Sequence, residues 1–396
     1  MKASLPDVAP YIQSLVPYVP GKPIEETQRE YGLKKVYKLA SNENPLGPAP
    51  RAIKRLAKDS KDLHRYPDAA AYRLKQALAK HSGHDASWIS VGNGSNELID
   101  LLVRAYCVPG DAIVTHQAAF VAYRICAQAH GVRTLEAHVD PLTLSVDLQA
   151  MLDTITSDSR VKLVFLANPN NPTGRYISER PLREFLQKAT QLHGGKLLIV
   201  LDYAYWEYVT EADLPSPESL LREFPQVVVL HTFSKVYGLA GLRVGYACAR
   251  PEILQSCEKI RMPFNLNSLA LTAAEEALLD TGFVKKARKV NAEGMKLWEK
   301  SLHEMEVPFL PSQGNFLLIH ARHGFGMSGF EVFDHCLKKG VIFRPVSNYG
   351  LSDYLRISIG TPPENAVAVK VLAELKAERF PASSAKRSSS GKKTRS

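Results

Sequence analysis

VVVLHTFSKVYGLAGLRVGYACA, residues 227 to 249, decides how the chain is read, because it sets one lysine, Lys235, between two apolar runs. VVVLHTF is β-branched and apolar, the composition of a strand buried on both faces of a parallel sheet, and RVGYACA reads as a second such strand. Between them, SKVYGLAGLR carries glycines at 238 and 241 that allow a turn tight enough to bring backbone close to a ligand. A lysine at the end of a buried strand, with Thr232 and Ser234 before it and Arg243 eight residues on, suits a Schiff base beside a phosphate. An arbitrary loop lysine is usually just solvated, so the rest of the chain has to decide.

Working outward, 396 residues exceed one ordinary core and predict two domains. A hydrophobic content of 45% with 23% charged residues describes a globular protein rather than a disordered one. No apolar run approaches the roughly 20 residues of a membrane span, and the proline-interrupted N-terminus lacks the continuous apolar core of a secretory signal. The expected location is the cytoplasm. Five cysteines, at 107, 126, 248, 257 and 336, are scattered without a CxxC pair, which argues against a disulfide framework and a zinc site. Of the net charge of +10, five units come from Lys386, Arg387, Lys392, Lys393 and Arg395 in the segment 381 to 396, which contains no acid. That Ser/Lys/Arg-rich tail predicts disorder, and the body is only mildly basic.

The N-terminal arm, residues 1 to about 45, reads as irregular and proline-rich. It ends in KLASNENPLGPAP, where Pro45, Gly47 and Pro48 exclude helix and central strand. The string N-E-N-P-L-G, with Asn44 inside it, is either a connecting turn or the wall of a pocket. Helices are expected from Pro50 to about Lys58 and from Ala69 to Lys80, with Tyr66 on the loop between them. SWISVGNGSNELIDLLVRAYC, residues 87 to 107, reads as strand, turn and helix. Gly92 and Gly94 free the backbone, and a helix starting at Ser95 and Asn96 offers unpaired N–H groups to an anion. A dinucleotide fingerprint fails because Glu97 stands where its third glycine belongs, so Gly94, Ser95 and Asn96 point to a monophosphate.

Further strands are expected at 111 to 116, 132 to 138, 161 to 168 and 196 to 203, with helices at 120 to 130 and 178 to 192. The alternation predicts a mainly parallel α/β sheet covered on both faces, with its sites at the carboxyl ends of strands. Just past those ends stand Phe120, Asn171 in PNNPTG, and Asp202 with Tyr205 in D-x-A-Y. A carboxylate that closes an apolar run, as Asp202 does, is costly unless it meets a cation or hydrogen-bond donors. From about residue 251 the pattern is helical, with a long helix from Thr281 to Glu306 bridging into a smaller domain. Residues 307 to 365 then supply strands, and Pro362 opens a terminal helix reaching about Arg379. Arg356, inside the apolar run YLRISIG, requires a carboxylate partner, from the protein or from a substrate.

The strings T-F-S-K-x-x-G-L-A-G-L-R-x-G-Y, N-P-T-G, D-x-A-Y, R-Y-P-D and L-R-I-S-I-G occur in one chain. From about Tyr18 to Asn365 the chain resembles the fold-type I pyridoxal phosphate aminotransferases, closest to their histidinol-phosphate aminotransferase branch. The resemblance implies a large cofactor-binding domain at 46 to 282 and a small domain at 283 to 380 that includes the arm. It implies a homodimer with shared active sites and pyridoxal 5'-phosphate on Lys235. Asp202 would face the pyridine nitrogen, Asn171 and Tyr205 the phenolate oxygen, and Phe120 would stack on the ring. Gly94, Ser95, Asn96, Thr232, Ser234 and Arg243 would clamp the phosphate, joined by Tyr66 of the neighbouring subunit. Arg356 would hold a substrate carboxylate, Tyr18 and Arg344 a distal phosphate, and Asn44 and Asn315 would line the same pocket. Two departures from the family pattern are QAA before Phe120, where a proline-containing version is commoner, and Tyr203 in the place of a glutamate.

The implied reaction pairs histidinol phosphate, as amino donor, with 2-oxoglutarate. An aromatic amino-acid aminotransferase and a phosphothreonine decarboxylase are other reactions on the same scaffold. A non-catalytic regulator using the basic tail on DNA is the reading from another class, and no helix-turn-helix or zinc module accompanies that tail.

Overall fold

A computed structural model describes residues 6–381, and the basic tail expected beyond Pro381 lies outside the described residues. The first strand, β1 (Tyr37–Lys38), belongs to the arm. Seven strands then build the main sheet: β2 (Ile89–Gly92), β3 (Ala112–His116), β4 (Arg133–Ala137), β5 (Val161–Ala167), β6 (Leu198–Asp202), β7 (Val227–Thr232) and β8 (Gly245–Cys248). Their order is β2-β8-β7-β6-β5-β3-β4. Neighbours among β3 to β7 pair in parallel. Every residue of β3, β6 and β7 is buried, as helices on both faces require.

β8 does not join that parallel set. It runs antiparallel to both β7 and β2, which corrects the reading of RVGYACA as a second parallel strand. A parallel return needs a crossover of a dozen or more residues, usually through a helix. The connection here spans residues 233 to 244 and contains only a single helical turn, Ala240–Leu242, so the chain folds straight back. The reversal carries Arg243, which precedes β8, to the sheet edge that Thr232 leaves.

Helices Ser95–Tyr106, Ala122–Ala129 and Glu179–Ala189 stand near the expected positions. Leu148–Thr156 and Pro217–Glu223, capped by Asp147 and Ser216, were not anticipated. Helices Pro251–Glu258, Ser268–Leu279 and the 24-residue Thr281–Glu304 follow the main sheet.

The remaining strands are β9 (Phe309–Leu310), β10 (Phe316–His320), β11 (Val341–Ile342), β12 (Arg344–Pro345) and β13 (Tyr354–Ser358). Four form an antiparallel sheet in the order β12-β13-β10-β9, while β11 pairs in parallel with β1. The terminal helix Pro362–Arg379 starts in a capping box of Thr361 and Glu364. The arm is not irregular throughout, because Ile24–Tyr31 is a helix. Glu25 and Glu26 in its first turn suit the helix dipole, and Gly32 closes it in the left-handed conformation. Among the described residues no helix is long and apolar enough to cross a membrane.

The arm meets the Lys235 loop at one tight point. Gly238 has φ +69°, and a Cβ there would lie 2.1 Å from the Gly47 carbonyl oxygen. Two backbones therefore touch where no side chain fits. Gly238→Ala is expected to destabilise the chain by about 3 kcal/mol, combining left-handed strain with overpacking. Denaturant unfolding of the two proteins measures it.

Candidate active site

The carboxyl ends of β3, β5, β6 and β7, the start of helix Ser95–Tyr106, the arm, and strands β12 and β13 converge on a cavity of about 290 Å³. Lys235, Asp202, Tyr205, Asn171, Phe120, Ser95, Asn96, Thr232, Ser234, Arg243, Tyr18, Arg344 and Arg356 all line it. Gly94 lies just beneath, where a Cβ would sit 2.4 Å from Arg243 Nη2.

Lys235 Nζ donates to the Ser41 carbonyl at 3.1 Å and stands 5.6 Å from the Tyr205 ring centroid. Burial, reinforced by the nearby Arg356 charge, lowers its pKa to about 8. Asp202 is buried at the end of β6 and accepts from Tyr123 Oη at 2.8 Å and the Ala204 N–H at 3.1 Å. Burial raises its pKa against those two donors. No lysine, arginine or histidine among the described residues pairs with it at ion-pair distance.

Arg243 adopts the left-handed conformation, and its Nη1 donates to Ser234 Oγ at 3.3 Å and the Ala240 carbonyl at 3.2 Å. Thr232 Oγ1 donates to Ser234 Oγ at 3.0 Å. With the amino end of the twelve-residue helix Ser95–Tyr106 alongside, these groups form a cradle for an anion.

Arg356, only 5% exposed, donates through Nη2 to the Ala40 carbonyl at 2.6 Å and through Nη1 to Asn171 Oδ1. Its Nε has no hydrogen-bond partner among the described residues. The carboxylate that the sequence demanded is not supplied by the described protein residues, whose oxygens around Arg356 are neutral. Arg344 sits directly opposite Arg356 in the β12–β13 pairing. It donates to the Val19 carbonyl at 2.7 Å and lies 5.6 Å from the Tyr18 ring.

Besides Gly94, two residues expected at the pocket, Asn44 and Asn315, are not among those lining it, and Tyr66, expected to serve the neighbouring subunit, stands away from its own cavity. Asn44 spends its side chain on the turn, donating to the Val236 carbonyl at 2.7 Å and accepting from the Leu46 N–H at 3.0 Å. Asn315 is buried behind the wall and donates to the Asn42 carbonyl at 2.9 Å. Tyr66 is 83% exposed and stacks on Phe264 with 4.7 Å between ring centroids. Sequence reasoning missed Ser41, Asn42, Glu43 and Tyr123. The first three belong to the polar run ahead of Pro45, and Tyr123, in the helix that begins just after Phe120, meets the Phe120 ring edge-on with 5.7 Å between centroids.

A seven-stranded, mainly parallel sheet with these groups at its carboxyl edge is the fold-type I arrangement of pyridoxal phosphate-dependent transferases. The chain belongs to the aminotransferase class I and II family, which it matches over residues 34–372. It is 41% identical to the histidinol-phosphate aminotransferase of Bdellovibrio bacteriovorus over 381 residues, covering 94% of this chain and 99% of that one. It is 43% identical to the enzyme of the same name from an Anaeromyxobacter species over 371 residues, again covering 94% and 99%. Among solved structures it resembles histidinol-phosphate aminotransferase from Sinorhizobium meliloti in complex with pyridoxal-5'-phosphate, with TM-score 0.84, 28% identity and coverage of 96% and 100%. The fold is shared with Thermus thermophilus aspartate aminotransferase, with TM-score 0.81, 18% identity and coverage of 94% and 100%.

The lowered basicity of Lys235 is measurable without turnover. In cofactor-free protein, its labelling by trinitrobenzenesulfonate should rise with an apparent pKa of about 8, against 10.5 for an ordinary lysine. Peptide mass spectrometry across a pH series reads the result.

Proposed function

We propose that the chain uses pyridoxal 5'-phosphate to transfer an amino group from histidinol phosphate to 2-oxoglutarate, as a cytoplasmic homodimer. One observation carries the substrate reading: two buried arginines, Arg356 and Arg344, face each other across β12 and β13 and line the Lys235 cavity without a carboxylate from the described residues. Two such cations suit the dianionic phosphate of a phosphorylated amine in one half of the exchange and the two carboxylates of a dicarboxylic oxo acid in the other.

The residues present fit the cofactor. Arg243, Ser234, Thr232 and the N–H groups around Gly94, Ser95 and Asn96 would hold its phosphate. Among the described residues no cation stands at ion-pair distance from Asp202, and a protonated ring nitrogen would supply one. Phe120 would cover the ring, and Asn171 and Tyr205 would meet its phenolate oxygen. Tyr66, strongly exposed on its own subunit, would reach the phosphate of a second copy. The same reading divides the chain into a cofactor domain at 46–282 and a smaller domain at 283–380 joined by the arm.

When bound, the cofactor supplies the electron sink for the bond broken at the donor's Cα. Lys235 provides the covalent anchor, and its amine, a substantial fraction of which is neutral near pH 8, is the base that takes and returns the Cα proton. Arg356 orients the substrate and Asp202 keeps positive charge at the ring nitrogen. The arm residues Ser41 and Asn42 close the cavity on one side and restrict water.

Lys235→Ala should retain no borohydride-reducible cofactor and lose about 10³-fold or more in transamination; a variant that keeps reducible cofactor would refute the assignment. Arg344→Gln should lower kcat/KM for histidinol phosphate by about 10- to 100-fold while leaving phenylalanine nearly unchanged. An equal loss on both donors, read in single-turnover spectra, would remove the distal-phosphate role.

A further inference from the structure

Asn42 is buried, adopts φ +55°, and joins three parts of the chain through one side chain. Its backbone N–H donates to Ser358 Oγ at 2.8 Å, and the Ser358 hydroxyl donates back to Asn42 Oδ1 at 2.8 Å. Asn42 Nδ2 then donates to Tyr205 Oη at 2.9 Å. Each link has a direction. Because Ser358 Oγ already accepts the backbone N–H, its own proton needs an acceptor, and Asn42 Oδ1 is the one in reach. That leaves the amide nitrogen, which can only donate, facing Tyr205. The Tyr205 oxygen therefore accepts from Asn42, and its proton has to point elsewhere. With the amide reversed, Tyr205 would donate to Asn42 and the buried Ser358 proton would lose its acceptor.

We propose that Asn42 is a positioning residue that sets the polarity of the Tyr205 hydrogen bond, turning the phenol proton into the cavity toward the cofactor's ring oxygen. The inference rests on the cofactor reading above. A donor to that oxygen stabilises its anion and so favours loss of the proton on the Lys235 nitrogen. The other charged or titratable groups facing the cavity are Asp202, Arg356, Arg243, Arg344, Glu43 and Tyr18, and none of them bonds the Tyr205 hydroxyl.

Two substitutions separate direction from mere contact. Asn42→Gly deletes the amide at a position whose left-handed backbone glycine adopts without strain. Asn42→Asp keeps the shape but makes the side chain acceptor-only when ionised, which reverses the bond. The readout is the pH titration of the visible absorbance band in cofactor-loaded protein. Tyr205→Phe and Asn42→Gly should each raise the apparent pKa by about one unit, and Asn42→Gly should add nothing in the Tyr205→Phe background. Asn42→Asp should raise it more when Tyr205 is present than when phenylalanine replaces it. An unmoved titration in Asn42→Gly, or equal shifts with and without the Tyr205 hydroxyl, would overturn the proposal while the cofactor reading stands. Wild-type protein that forms no visible band with pyridoxal 5'-phosphate would remove both.

Discussion

The site depends on the pairing of β7 with β8, in which Thr232 faces Gly245. That register forces residues 233 to 244 into a loop over one edge of the sheet, so that Lys235 and Arg243 return to the same place. The glycine at 245 is part of the constraint, since a Cβ there would lie 2.6 Å from the Ser95 amide nitrogen and 2.8 Å from the His231 carbonyl oxygen. The amino end of the helix therefore presses directly on the start of β8. Lysine, guanidinium and helix terminus are brought together by backbone packing, before any side-chain interaction is counted.

The charges of the site are held by neutral partners. Arg356 leans on the Ala40 carbonyl and Asn171, Arg344 on the Val19 carbonyl, and Arg243 on Ser234 and the Ala240 carbonyl. Such oxygens fix orientation yet cancel no charge. A protein carboxylate in the same places would satisfy each guanidinium and leave nothing for a ligand. For Arg356 and Arg344, which are buried, an uncompensated charge costs several kcal/mol, a cost that an anionic ligand would relieve on binding. Asp202 has the opposite need, with burial raising its pKa and two donors too few to settle it. Fixed dipoles around unpaired charges form a preorganised electrostatic site.

Much of this was legible in the sequence. Lys235, Asp202, Asn171 and Phe120 each follow an apolar strand, and a parallel sheet puts all such positions on one edge. The direction of β8 was misread because its composition matches a parallel strand; the informative signal was the connection ahead of it, a glycine-punctuated dozen residues with only a single helical turn. Asn44 and Asn315 look like pocket residues by type, but both amide nitrogens are spent on backbone carbonyls, Asn44 on Val236 and Asn315 on Asn42. Asn42 escaped notice for a different reason. Its partners, Tyr205 and Ser358, lie far along the chain, and local spacing carries no information about contacts at such separations. Tyr123 was hidden in the same way, since its bond to Asp202 crosses from a helix to a strand end.

The arm shows why those distant contacts matter. Leu39 bonds to Ile342 and Ser358 through its backbone, the Ala40 carbonyl accepts from Arg356, and the Ser41 carbonyl accepts from Lys235. Consecutive carbonyls thus hold two cations in one cavity. The charge on Arg356 is part of what depresses Lys235, second only to burial. On the proposed reading, a substrate anion arriving at Arg356, the donor's phosphate or the oxo acid's carboxylate, cancels that repulsion, and the pKa of the Lys235 amine moves upward. The lysine is least basic before a substrate anion arrives, when a neutral amine is needed for covalent attachment. It becomes more basic once substrate is in place, when a proton has to be taken from Cα.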